Sequence, residues 1–290
     1  MIHFLRHSEI DKRKWDSCIE KSCNGLVYAF SWYLDVVSPG WEAIADTDYN
    51  AVMPLPVKSK FGLRYIVQPV FTQQLGVFSI EKPSETYITE CLNYIPKKYF
   101  RQVFNLNTVN VLPPSRRIMN RTNFELDLNN DYRVIHNNFN ENTQRNIRKA
   151  RGSGVLLEKS EDVDLFMDQY FILAKEKPNQ FGLQKLRAIV TTSLDKEKGK
   201  IIFARNTEGL IIAGVFFLND MGRIIYVTSF TTAEGQDKSS MFLIMDEMIS
   251  KYAGSPYILD FEGSMIPGVA RFFAGFGAQA KIYQQYRKGI

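Results

Sequence analysis

The chain has 290 residues, 45% apolar and 23% charged, with 36 Lys and Arg against 31 Asp and Glu for a net charge of +5. This balance excludes a disordered chain and suffices for two ordinary hydrophobic cores. The longest apolar stretch, LIIAGVFFL at 210–218, is too short to span a membrane, and the three histidines and three cysteines lack metal-ligand spacing, so neither a zinc site nor a histidine-based triad is expected. The segment MIHFLRHSEIDKRKW lacks the apolar stretch of a signal peptide, so a cytoplasmic location with reduced thiols is expected.

In chain order, IHFLRHS reads as a short strand. Asp11 then opens an amphipathic helix with Trp15, Cys18 and Ile19 on one face. Residues 30–38 form a second short helix, stopped by Pro39 and Gly40. Strand-like runs follow at WEAIADT, NAVMPLPVKSK and LRYIVQPVFTQQLGVF. Pro54 and Pro56 are spaced by two, which suits an edge strand because neither offers an N–H. Ser84 is placed to cap a helix over PSETYITECLNYIPKKY, and QVFNLNT and TNFELDL are further strands. The second half begins with a polar helix, NENTQRNIRKARGSG, closed by Gly152 and Gly154. After it come the strand VLLEKS, two helices around Pro178, and three strands whose loops, NTEG and NDMG, are hairpin-like. The helix SSMFLIMDEMISKYA, the strand YILDF, the helix PGVARFFAGFG and the strand AKIYQQYRK complete the chain.

Both halves thus read β-α-α-β-β-β-α-β, the second with one more helix and strand, and the boundary falls at 130/131 in NNDYRVI. Three hairpin strands followed by a crossover helix define an α/β fold with a mixed sheet.

That element order resembles the GCN5-related N-acetyltransferase (GNAT) arrangement. In tandem, with a degenerate first domain (1–130) and a more complete second one (131–290), it resembles the FemABX aminoacyltransferases and their bacterial FemAB-like relatives. NTQRNIRKARGSGV resembles the family's basic helix before the second domain, DFEGSMIPGVARFFAGFGA its closing strand–helix–strand unit, and QPVFTQQLGVF a first-domain strand. The resemblance implies an acyltransferase moving an acyl group from acyl-CoA or aminoacyl-tRNA to an amine in an interdomain cleft, with no permanently bound cofactor. The acceptor it implies is a small molecule resembling a cell-wall precursor, with tRNA as a further partner. The pyrophosphate-cradling glycine loop of acetyl-CoA users is replaced by AEGQDKSSMF (233–242), which keeps one glycine. A non-catalytic binding protein that has lost its donor loop is therefore the alternative.

Amide formation on such a fold requires a proton acceptor, oxyanion donors and positioning. Asp260 and Glu262, two apart on a strand, share one face; Glu262 either takes the amine's proton or caps the next helix with Ser264 or pairs with Arg271. Tyr226, grouped by alternation with Thr228 and Phe230 and opposite Val227 and Ser229, is either an acid catalyst or core. Arg145, Arg148 and Lys149 share a helical face that suits an anionic donor or remains a solvated surface. Arg271 is a further anion ligand or a surface arginine, and Lys238 and Ser239 open the helix that would receive donor phosphates. Gln73 and Gln74 either bind the acceptor or satisfy a loop backbone.

Overall fold

The computed structural model describes residues 1–174, 179–263 and 267–289. The chain divides into two compact units: unit 1 is Met1–Thr122 with Lys281–Ile290, and unit 2 is Asn123–Ala280. Element order alone kept the last strand with the second half. Its residues Gln285–Lys288 instead pair antiparallel with Gln102–Asn105, so they cluster with unit 1.

In unit 1, β1 (Ile2–Leu5), β2 (Glu42–Asp46), β3 (Ala51–Leu55) and β6 (Phe78–Ser79) form a four-stranded antiparallel sheet; β4 (Val57–Lys60) and β5 (Leu63–Val67) are a hairpin. β5 runs parallel to β7 (Tyr99–Asn105), which pairs with β14 (Gln279–Lys288). The helices are α1 (Lys12–Lys21), α2 (Ser31–Val37) and α3 (Glu85–Tyr94). Local chemistry sets their starts. The Asp11 carboxylate accepts from the N–H groups of Arg13 and Lys14, and the Ser84 hydroxyl accepts from Tyr87. α1 buries Trp15, Cys18 and Ile19 as its periodicity predicts, and the Trp15 indole donates to Ala29 O at 2.7 Å. Pro54 also falls as expected: β6 pairs only with Ala51 and Val52, so β3 is an edge from there on. All three cysteines are free; burial pushes the Cys18 thiol up to about 11 and the Cys91 thiol to about 12.

β8 (Ile118–Asp127) leads into unit 2, which continues with α4 (Tyr132–Asn137), α5 (Glu141–Gly152), β9 (Leu156–Ser160), α6 (Val163–Leu173) and α7 (Gln180–Asp195). β10 (Gly199–Arg205), β11 (Ile211–Asp220) and β12 (Arg223–Thr231) form the two hairpins expected from NTEG and NDMG. α8 (Ala233–Asp237), α9 (Ser240–Tyr252), β13 (Ile258–Asp260) and α10 (Pro267–Gly275) follow. The sheet order is β8-β13-β12-β11-β10-β9, with β12 and β13 parallel and the other pairings antiparallel. A mixed sheet of this kind is what the element order implied. No helix among the described residues is long and apolar enough to cross a membrane.

Two faces of the unit 2 sheet carry separate packing. Phe166 of α6 packs on Phe203, Phe216 and Phe230. On the other face, Val215, Phe217 and Ile224 join α5, α9 and α10 in one core, with Phe273 and Phe276 buried as the sequence suggests. Gly275 permits that packing, because a Cβ there would lie 2.4 Å from Thr143 Oγ1 of α5.

Candidate functional site

The parallel ladder of β12 and β13 is short. It joins Arg223 with Ile258, Ile224 with Leu259, and Ile225 with Asp260; then β13 ends while β12 continues to Thr231. Beyond that point a cavity of about 660 Å³ opens, lined by residues of β12 from Tyr226 to Thr231, by Phe261 to Gly263, and by Tyr170, Val269 and Phe273. An adjoining cavity of about 380 Å³ shares Tyr226, Ser229, Val269 and Phe273, and reaches Gln236, Ser239 and Phe242. Tyr226 and Ser229 therefore stand where the two spaces meet.

Alternation places those two residues on opposite faces of β12, and the structure corrects this. The β11–β12 register shifts between Phe216, opposite Thr228, and Phe217, opposite Tyr226. A bulge at Val227 thus inverts the alternation. Tyr226 packs on Phe217 and Phe273 and its hydroxyl bonds the Ser229 hydroxyl, whereas Phe230 turns to the α6 face. Ser229 was not singled out from the sequence because a bulge has no signature in VTSFT. Burial pushes the Tyr226 hydroxyl up to about 12, with the nearby Glu262 carboxylate adding to the shift.

The closing acids also separate. Glu262 lines the larger cavity, but not through strand alternation: it adopts φ 57°, its N–H donates to Asp260 Oδ1 at 2.9 Å, and its carbonyl accepts from Phe124. Asp260 does not line the cavity. It is buried, with Oδ2 2.9 Å from Arg223 Nη1, and the same guanidinium nitrogen lies 2.9 Å from Glu125 Oε1. Burial pushes the Asp260 carboxyl up while Arg223 opposes the shift. The cluster staples β8, β13 and β12 together at the point where β13 stops. The suggested cap Ser264 lies outside the described residues.

The basic helix is held by different contacts from those of a free anion site. Arg151 Nη2 lies 2.6 Å from the buried Asp246 carboxylate, which also accepts from the Tyr132 hydroxyl at 2.6 Å. Burial and that bond push the Tyr132 hydroxyl up to about 12. Lys149 pairs with Asp237 at 3.1 Å, Arg145 bonds Asn142 at 2.9 Å, and Arg148 reaches Gln144 O of its own helix at 3.4 Å. None of Arg145, Arg148 and Lys149 lines either cavity. Arg271 is exposed, does not line them either, and has no ion pair among the described residues.

The donor-loop segment is a short helix with its polar groups engaged. Thr232 caps α8 by accepting from Gly235, and the N–H groups of Gln236, Lys238 and Ser239 go to Thr232, Glu234 and Gln236 carbonyls. Lys238 pairs with Glu234 at 2.7 Å, which together with Asn206 holds the Glu234 carboxyl low. Ser239 lines the smaller cavity but donates its hydroxyl to Asn146 at 2.8 Å and makes no capping bond. Gly235 is explained by packing, because a Cβ would stand 2.1 Å from Ile212 O. Gly235→Ala is expected to displace α8 and destabilise the protein by about 1–3 kcal/mol, measured by urea denaturation.

Gln73 and Gln74 are buried in unit 1. Gln74 Nε2 donates to Gln73 Oε1 at 2.7 Å, Thr108 N donates to Gln74 Oε1 at 3.0 Å, and Asn105 donates to Gln73 O at 2.7 Å. Two of these contacts, with Thr108 N–H and with the Asn105 amide, are of the loop-backbone kind. No group of three or more metal-ligating side chains occurs among the described residues.

No family model and no curated protein matches the chain. Solved structures do. The chain is similar to FemX, with TM-score 0.67 and 12% identity over 95% of this chain and 96% of that one. It is similar to L-PGS from Bacillus licheniformis, with TM-score 0.58 and 11% identity over 97% and 92%. A conserved protein of unknown function from Bacteroides thetaiotaomicron VPI-5482 also matches, with TM-score 0.63 and 9% identity over 99% of both chains. The fold is therefore an α/β fold like that of FemX.

Proposed function

We propose that unit 2 transfers an acyl or aminoacyl group from an activated donor to an amine, with the chemistry at the Tyr226–Ser229 pair. The observation that carries this reading is the opening of β12 from β13 onto a cavity lined by Tyr226, Ser229 and Glu262. The amine nitrogen attacks the donor carbonyl, the new C–N bond forms, and the bond to the leaving oxygen or sulfur breaks. Glu262 takes the proton released by the amine. Tyr226, at about 12, stays protonated at neutral pH, donates a hydrogen bond to the developing oxyanion, then gives its proton to the leaving atom and regains one from Glu262, while Ser229 orients it.

A ribose oxygen is a more basic leaving atom than a thiolate, so a protonated tyrosine serves an ester donor such as aminoacyl-tRNA better than acyl-CoA. The engaged N–H groups of α8 support the same preference, since they cannot cradle a pyrophosphate without losing their partners. Those N–H groups also favour the second reading, a binding protein without transfer activity.

Titration with acyl-CoAs and with charged tRNA, read by thermal shift and by product formation, decides between them. A donor present at 100 times its Kd stabilises by about 2.7 kcal/mol. The transfer reading predicts that stabilisation together with an amide product; a shift without product favours the binding protein, and neither signal defeats both.

A further inference from the structure

Unit 1 contains a concentration of charge that the basic helix of unit 2 does not account for. Residues 91–122 hold six Lys and Arg, residues 281–290 hold three, and neither segment contains an Asp or Glu. The whole chain is +5, so these segments carry +9 and the remainder −4. Where the two segments meet, a pocket of about 450 Å³ is lined by Arg116, Arg117, Arg287, Lys288 and Gly289. Every side chain in that lining is a cation, and none of the four has an ion pair among the described residues.

The pocket is fixed by its own backbone. Pro113 and Pro114 lead into a turn closed by Ile118 N–H on Ser115 O at 3.0 Å, and Arg117 N–H donates to Ser115 Oγ at 3.3 Å. Arg287 N–H donates to Arg117 O at 2.8 Å, which sets the two arginines side by side. The Arg287 guanidinium is oriented by Nε on Gln285 Oε1 at 2.8 Å and Nη2 on Met119 Sδ at 3.2 Å, and Arg117 bonds the Tyr286 hydroxyl. Gly289, at φ 75°, closes the rim against β7, where a Cβ would lie 1.8 Å from Phe100 O. Two arginines held at adjacent positions, with two further cations beside them and no acid in either segment, repel one another until an anion enters. Guanidinium groups in this arrangement suit tetrahedral oxyanions with several acceptor oxygens.

We propose that this pocket binds phosphate groups, taking two adjacent ones at a time. Both a free diphosphate and the backbone of a nucleic-acid strand present that chemistry. The proposal is independent of the transfer reading, because it concerns unit 1 and is tested by binding alone.

Isothermal titration of the full chain with pyrophosphate, orthophosphate and a single-stranded RNA 12-mer, at fixed ionic strength, tests it. Pyrophosphate is expected to bind one to one and more tightly than orthophosphate. The double variant Arg116→Gln/Lys288→Gln should weaken it by about a hundredfold, roughly tenfold per cation removed. Lys159→Gln/Lys251→Gln, which removes the same charge from unit 2, should leave binding unchanged. If the phosphates belong to a strand, RNA binds more tightly than pyrophosphate, competes with it, and loses affinity in the same double variant. A free diphosphate gives the reverse order. The proposal fails if pyrophosphate and RNA bind no better than orthophosphate, or if the two double variants weaken binding equally.

Discussion

Arg223→Met is expected to be among the most destabilising single substitutions in unit 2, costing about 3–5 kcal/mol. Its guanidinium lies 2.9 Å from both the Glu125 and Asp260 carboxylates, and Asp260 is 1% exposed. Methionine would fill most of the volume while leaving two carboxylates with no cation. Asn123, 3.1 Å from Glu125 Oε1, and the Glu262 N–H, 2.9 Å from Asp260 Oδ1, supply hydrogen bonds without compensating charge. The pH dependence follows from the direction of the Asp260 shift. A carboxyl raised by burial above its unfolded value contributes stability below that unfolded value, and loses it as pH rises through the folded one. Without Arg223 only the hydrogen bonds from Asn123 and the Glu262 N–H oppose the rise, so the deficit should be greatest at neutral pH and shrink towards pH 4. Urea denaturation at several pH values measures it; a deficit that does not change with pH would contradict the account. Because the cluster ends β13 two residues before Glu262, Arg223→Lys should recover part of the stability but leave the position of Glu262 less well fixed.

Tyr226→Phe is expected to lower kcat by about 10²–10³-fold with little change in KM, if unit 2 performs the proposed transfer. The substitution keeps the ring contacts with Phe217 and Phe273, so stability should change little, and it removes the hydroxyl that meets Ser229. Since that hydroxyl is pushed up to about 12, the wild-type rate should show no basic limb from it between pH 7 and 10. Ser229→Ala tests its orienting role: a smaller loss in kcat, with a basic limb no lower than in the wild type, is expected because Ser229 lowers the Tyr226 value. A Tyr226→Phe protein with unchanged kcat would remove tyrosine from the mechanism.

Much of the architecture was readable from residue types. Asp11 and Ser84 announced their helices because a side-chain oxygen next to free backbone N–H groups acts over three residues. The hairpins after NTEG and NDMG were readable for the same reason: turn chemistry is local. The short helix α4 was missed, as no capping side chain marks it; Asp131 makes no cap bond.

The candidate site was legible only in part. Tyr226 on a strand and Glu262 at a strand end are candidates by sequence, and both line the cavity. Strand alternation puts neither there: a bulge at Val227 breaks it on β12, and Glu262 leaves the strand at φ 57°. Asp260, Lys149 and Lys238 were indistinguishable by type from cavity residues, yet Arg223, Asp237 and Glu234 claim them. The acid-free stretches at 91–122 and 281–290 are visible in the sequence, but 158 residues separate them, and β7–β14 pairing and the Arg287–Arg117 backbone bond bring them together. The sequence by itself determined helix starts, turns, core-facing positions and the overall class, because those depend on neighbours a few residues away. Tertiary structure decided which charges are paired and which face a cavity. An ion pair or a strand register depends on residues distant in the chain, and a single-residue bulge reverses every face beyond it.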